Sequence, residues 1–182
     1  GQKLSPRDDR DMKKKLAKVD KYQRRLSKKK IGSNNFAKVK TKLSKAHVQV
    51  VDARKDWIHK TTTQLVKEFD VVCIEDLNVR GMTRSARGKG RKAKAGLNRR
   101  VLEQSFAEIR RCLEYKSRDY GGEVVAIDRF FPSSKTCSSC GCINKSLTLS
   151  QRFWTCPRCQ EHLDRDINAA KNIQAAGLAV IA

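Results

Sequence analysis

Two short cysteine pairs constrain this chain more than anything else in it. Cys137-x-x-Cys140 is followed, after fifteen residues, by Cys156-x-x-Cys159. A CxxC turn lets two thiolates approach one ion at about 2.3 Å, and two such turns complete a tetrahedral four-cysteine site of the structural zinc kind. Gly141 and Pro157 are residues that such turns use. Cys142, directly after Gly141, is read as a bystander, and Cys73 and Cys112 stand apart from the pairs. The pattern suits a reducing compartment and a metal rather than disulfides. A ribbon of this size buries little apolar surface, so zinc is expected to supply its folding free energy, with Phe153 and Trp154 covering the ion. The spacing leaves open whether the ribbon is a structural clasp alone or also touches a partner.

Charge is the next constraint. Lysine and arginine number 41 against 19 acids, a formal net charge of +22 over 182 residues. Such a field attracts polyanions, and nucleic acid is the expected partner. No apolar run reaches the roughly 18 residues of a membrane span, and the start of the chain carries no signal-peptide pattern. A soluble, cytoplasmic protein with no membrane partner is expected, with one main core and a small satellite. Nothing in the sequence fixes an oligomeric state.

The basic residues fall into two blocks. Ser5-Pro6-Arg7-Asp8 resembles a helix start, and Met12, Leu16, Val19 and Leu26 lie roughly on one face up to Gly32. A second helix is predicted from Ser33 or Asn34, with Phe36, Val39, Leu43, Ala46, Val50, Ala53 and Trp57 in a heptad seam. Two helices joined through Gly32 make an antiparallel hairpin whose outer face carries Arg24, Arg25, Lys28, Lys29 and Lys30. The near-absence of compensating acids there favours phosphate binding over a merely solvated face. The second block, Arg80 to Gly96, holds seven basic residues in seventeen, among them Arg84, Arg87, Lys89, Arg91 and Lys92, and reads as a flexible basic loop that orders on nucleic acid.

Asp70 to Leu77 suits a buried strand ending in two acids, and Glu123 to Asp128 a second strand. Between them Asn98 is read as the cap of a helix with the apolar stripe Leu102, Phe106, Ile109 and Leu113, ending near Gly121-Gly122. A last short helix follows Asp166. Strands alternating with helices imply a largely parallel α/β core. Glu75, Asp76, Asp128, Asp164 and Asp166 then stand at strand ends or a helix start. Clustered carboxylates can share magnesium or manganese around a phosphate, although a single acid in such a place is more often a cap or an ion-pair partner.

Three ordered motifs resolve that choice by resemblance. Val72 to Met82 (VCIEDLNVRGM) resembles the second motif of the RuvC-like nuclease domain in TnpB proteins and the type V CRISPR effectors. Asp128 to Cys137 (DRFFPSSKTC) is similar to the segment that leads into the family's zinc ribbon, and Asp164 to Ile173 (DRDINAAKNI) to its third motif. Arg24 to Lys30 (RRLSKKK) is similar to one of its basic helices.

The resemblance implies an α/β, ribonuclease H-like (RuvC) core with a basic helical hairpin and an inserted zinc ribbon. It implies metal-dependent hydrolysis of DNA by an RNA-guided endonuclease, with Glu75 and Asp166 as catalytic ligands of magnesium or manganese. Asp166 is preferred to Asp164 because the family's aspartate lies two residues before an asparagine, here Asn168. DNA and guide RNA are the implied partners, in a prokaryotic, nucleoid-associated setting.

The boundaries expected are residues 1–132 for the core, with the hairpin over about 5–69, then 133–163 for the ribbon and 164–182 for the last motif and helix. The family's first catalytic aspartate, in a Gly-Ile-Asp-x-Gly strand, has no counterpart here, since Asp8, Asp9 and Asp11 sit at a helix start. The core is therefore expected to be incomplete at its N-terminus, and little or no cleavage is expected of these residues alone. The alternatives carried are a nuclease-deficient nucleic-acid-binding regulator or remnant and, below it, a transposase proper.

Overall fold

The computed structural model describes residues 10–86, 90–148 and 150–182. The elements in chain order are α1 (Arg10–Ser27), α2 (Asn34–Glu68), β1 (Val71–Glu75), α3 (Val79–Met82), α4 (Arg91–Glu103), α5 (Phe106–Asp119), β2 (Glu123–Ile127), β3 (Phe153–Thr155), β4 (His162–Asp164) and α6 (Arg165–Ile181). They divide into two compact units, residues 10–64 with 83–112 and residues 65–82 with 113–182.

The first unit holds the basic hairpin. Ser33 begins α2 as a cap, its hydroxyl accepting from the Phe36 N–H at 3.1 Å, and the chain reaches it through Gly32 at φ +83°. The heptad seam is real: Ala46 and Val50 are buried, and they pack with Met12 and Val19 of α1 beside Leu16, Tyr22, Leu43 and Ala53. The start of α1 lies by the later part of α2, as an antiparallel pair requires; Asp11, Met12 and Lys15 share a groove with Asp52, Ala53, Asp56 and Trp57. The predicted start at Ser5 to Asp8 falls outside the described residues.

Two readings of the next segment are corrected. The basic stretch is not all loop, because α3 occupies Val79–Met82 and α4 begins at Arg91. Arginine, lysine and alanine are strong helix formers, and the 91–95 run is made only of them. Nor is Asn98 a cap: it lies inside α4, and its Nδ2 donates to the Thr83 carbonyl at 2.6 Å. The single predicted helix is two, broken at Ser105, whose φ of +55° no α-helix accommodates. The stripe suffers accordingly, and Leu102 is left 56% exposed.

The second unit holds both predicted strands. β1 and β2 pair in parallel from Val71 opposite Glu123 to Glu75 opposite Ile127. β2 buries Val125 and Ile127, whereas every residue of β1 is half-buried. α6 packs on both strands. It comes so close at Gly177 that a Cβ there would meet Cys73 Sγ at 2.4 Å and Cys73 Cβ at 2.8 Å. The architecture is a mixed α/β one in which two parallel strands are paired among the described residues. The ribbon adds an antiparallel pair, β3 with β4, and a bridge between Thr136 and Ile143. Among the described residues no helix is long and apolar enough to cross a membrane.

Candidate metal centre and acidic site

The two CxxC turns have the same backbone design. Gly141 N–H donates to the Cys137 carbonyl at 2.9 Å, and Gln160 N–H donates to the Cys156 carbonyl at 3.0 Å. Each turn closes on a left-handed residue, Gly141 at φ +71° and Gln160 at φ +60°. Glycine takes that conformation freely, so Gly141 was legible; glutamine gives no such signal.

These turns bring the sulfurs of Cys137, Cys140, Cys156 and Cys159 within 4.8 Å of one another. Cys137 Sγ lies 3.6 Å from Cys159 Sγ, and Cys140 Sγ lies 3.6 Å from Cys156 Sγ. Four sulfurs about 2.3 Å from one tetrahedral ion are separated by about 3.8 Å, so the set fits a metal and is far from disulfide contact. The thiols cannot all ionise without a cation. The backbone N–H of Cys159 draws the Cys156 thiol down to about 6 against the cost of burial. Cys159 is pushed up to about 12: the Glu161 N–H favours its thiolate, but burial and the three neighbouring thiols outweigh that. A divalent ion would remove the conflict.

Beneath the sulfurs lies a small core of Cys137, Leu147, Trp154, Cys156 and Leu163, with Cys140 and Cys142 against it. Cys142 acts through its backbone, its carbonyl accepting from the Cys137 N–H at 2.8 Å. Of the two aromatics expected to cover the ion, Trp154 is buried in this core, but Phe153 is not. Consecutive strand residues face opposite ways, and while Trp154 is 6% exposed, Phe153 is 71% exposed.

The acids divide by what holds them. Asp164 is the N-cap of α6, its carboxylate accepting from the N–H groups of Asp166 at 2.9 Å and Ile167 at 3.0 Å. Asp76 pairs with Arg129, whose Nε donates at 3.1 Å, and Asp128 accepts from the Phe130 N–H at 2.6 Å. Glu75 ends β1 and accepts from the buried Ser133 hydroxyl at 2.7 Å. Asp166, the second residue of α6, is exposed. Among the described residues neither Glu75 nor Asp166 joins a group of three or more close metal donors.

Two side chains that the sequence offered only as motif members tie these parts together. Asn168 and Asn172 of α6 are buried, at 1% and 8% exposure. Both donate to the Thr136 carbonyl at 2.6 Å, and Asn172 also donates to the Ser133 carbonyl at 2.8 Å. Asn168 Oδ1 accepts from the Ser138 N–H at 2.8 Å. Residue 133, whose hydroxyl holds Glu75, is thus held in turn by the helix that carries Asp166.

Of the predicted phosphate-binding residues, Arg24, Arg25, Lys28, Lys29 and Lys30 are exposed at the end of α1 and just beyond it. Arg84, Arg91 and Lys92 are exposed as well, and Arg87 and Lys89 lie outside the described residues.

Two family profiles match the chain, "Probable transposase" over residues 6–86 and "Cas12f1-like, TNB domain" over residues 106–173. A Streptomyces pristinaespiralis protein named "Putative RNA-guided DNA endonuclease" is 42% identical over 183 residues, covering all of this chain and 42% of that protein. A TnpB-like protein of Acanthamoeba polyphaga mimivirus is 36% identical over 148 residues, 81% of this chain and 27% of its own length. The chain belongs to the TnpB-like proteins. It also resembles a CRISPR-associated DNA-binding protein, Cas12m, of Pelobacter propionicus, 30% identical over 122 residues, 66% of this chain and 18% of that protein. This TnpB-like chain thus spans less than half the length of these relatives. Its hairpin falls in the first profile and its cysteine centre in the second.

Proposed function

We propose that this chain is the RuvC-like nuclease portion of a transposon-associated, RNA-guided DNA endonuclease, with a ribonuclease H-like core, structural zinc at Cys137, Cys140, Cys156 and Cys159, and Glu75 and Asp166 as catalytic acids. The observation that carries this reading is the linkage from Glu75 through Ser133 to Asn172. It ties the end of β1 to the helix that bears Asp166, and α6 packs directly on β1.

Magnesium or manganese, when bound, would supply an activated water and charge for the leaving oxygen. The chain's own residues prepare for that. Carboxylate oxygens are the donors hard cations take. Ser133 fixes one oxygen of Glu75. Asp164, as the N-cap, satisfies the first N–H groups of α6, the helix that carries Asp166. The exposed cations from Arg24 to Lys30, with Arg84, Arg91 and Lys92, would hold the phosphates of guide RNA and DNA.

The test uses the longer protein containing these residues, loaded with its guide RNA and given magnesium. Glu75→Gln and Asp166→Asn should each abolish DNA cleavage and leave RNA binding intact. Cleavage surviving either substitution overturns the assignment, and joined rather than cut products would point to a transposase. RNA binding should weaken linearly in log affinity against log salt, less steeply once Lys28, Lys29 and Lys30 are neutralised.

A further inference from the structure

His59, Glu108 and Cys112 form a second group of metal donors, in the hairpin unit and in none of the motifs discussed above. An imidazole nitrogen, a carboxylate oxygen and the Cys112 sulfur all lie within 4.8 Å of one another. His59 comes from α2, while Glu108 and Cys112, four residues apart, share one face of α5.

Three features suit a ligand site. Donor depth is graded: Cys112 is fully buried, Glu108 half-buried and His59 exposed, so the group runs from the surface to a soft ligand at its base. The carboxylate is already oriented, since Arg111 Nε and Nη2 donate to its two oxygens at 3.0 and 2.6 Å, an outer-sphere partner of the kind that fixes metal ligands. And the Cys112 thiol donates to a Glu108 oxygen at 4.0 Å, so the sulfur and the carboxylate already face each other.

We propose that His59, Glu108 and Cys112 bind a borderline-soft divalent ion of the zinc type, clipping α2 to α5. Mixed nitrogen, sulfur and oxygen donors favour zinc over magnesium or calcium, and three protein ligands leave one position for water. On binding, the Cys112 S–H bond breaks, a sulfur–metal bond forms and the proton leaves to solvent. Arg111 and Lys55 put positive charge beside Glu108, so this site binds more weakly than the four-cysteine centre. The claim does not depend on the nuclease reading.

The experiment titrates the full chain, reduced and stripped of metal, with cobalt(II), whose absorption reports thiolate ligation. Two equivalents should bind, the second with the weaker sulfur-to-metal band. His59→Ala and Cys112→Ser should each lose the second equivalent and keep the first, and Cys73→Ala should keep both. His59 is exposed, so its variant keeps the test decisive should the Cys112 variant, at a buried position, fail to fold. A single equivalent in the unsubstituted chain, or a second one surviving His59→Ala, overturns the site and leaves an Arg111–Glu108–His59 ion network in its place.

Discussion

Replacing Gly177 by alanine should destabilise the protein, although the same change in a helix is ordinarily favourable. Alanine gains about 1 kcal/mol over glycine in a helix interior. At position 177 the added methyl would lie 2.4 Å from Cys73 Sγ and 2.8 Å from Cys73 Cβ, with Ile127 Cγ2 at 3.7 Å behind them. One of the two close atoms is fixed to the backbone of β1, so α6 must move outward. Overpacking of this kind costs about 1–3 kcal/mol, and a contact this short belongs at the upper end. Set against the helix gain, a net loss of about 1–2 kcal/mol remains, or roughly 2–8 °C in Tm for a chain of this size. Gly96 is the internal reference: it too is helical, in α4, but nothing lies within 4 Å of its would-be Cβ. Gly96→Ala should therefore stabilise. Thermal and urea unfolding of both variants, followed by circular dichroism, measures the contrast. Adding Cys73→Ala to Gly177→Ala should recover part of the loss by removing the nearer atom. If Gly177→Ala stabilised as much as Gly96→Ala, the close approach of α6 to β1 would be wrong, and with it the support for bringing Glu75 and Asp166 together.

Chelation of the reduced protein should melt the ribbon while the helical hairpin persists, seen as loss of Trp154 burial with most of the helical signal retained; an unchanged Trp154 environment would deny the metal a structural role. Ser133→Ala should raise the magnesium concentration needed for cleavage by the longer protein, with Ser133→Thr restoring it; a uniform loss of activity at all metal concentrations would mark Ser133 as structural only. Glu108 is held below its usual 4.5, first by the hydrogen bonds from Arg111 and then by that cation's charge. The pair's contribution is accordingly complete above about 4.5 and fades as the pH falls through the lowered value. The stability difference between the unsubstituted protein and Arg111→Ala should therefore shrink on acidification, by a modest amount because both side chains are more than a third exposed. A difference that grew toward acid pH would contradict the pairing.

Local signals carried most of what could be read before the structure. The start of α2 at Ser33 or Asn34, the seam from Phe36 to Trp57, the runs that became β1 and β2, and the two CxxC turns all act over a few residues, and each appears where expected. The failures share a cause, since the deciding partner is remote or the local rule was weak. Asn98 reads as a cap until its amide is found on Thr83, fifteen residues back. Phe153 and Trp154 look equivalent until strand alternation turns one outward. Ser105 and Gln160 adopt left-handed conformations that serine and glutamine do not announce. The group at His59, Glu108 and Cys112 spans two helices, and no run of residues reveals it.

The amides of Asn168 and Asn172 grip peptide carbonyls and a peptide N–H, not side chains. The strip they hold, from Ser133 to Ser138, can therefore exchange most of its residues without coming loose from the helix. A graft carrying a foreign pair of cysteine knuckles should seat in the same cradle so long as its main chain follows the same path.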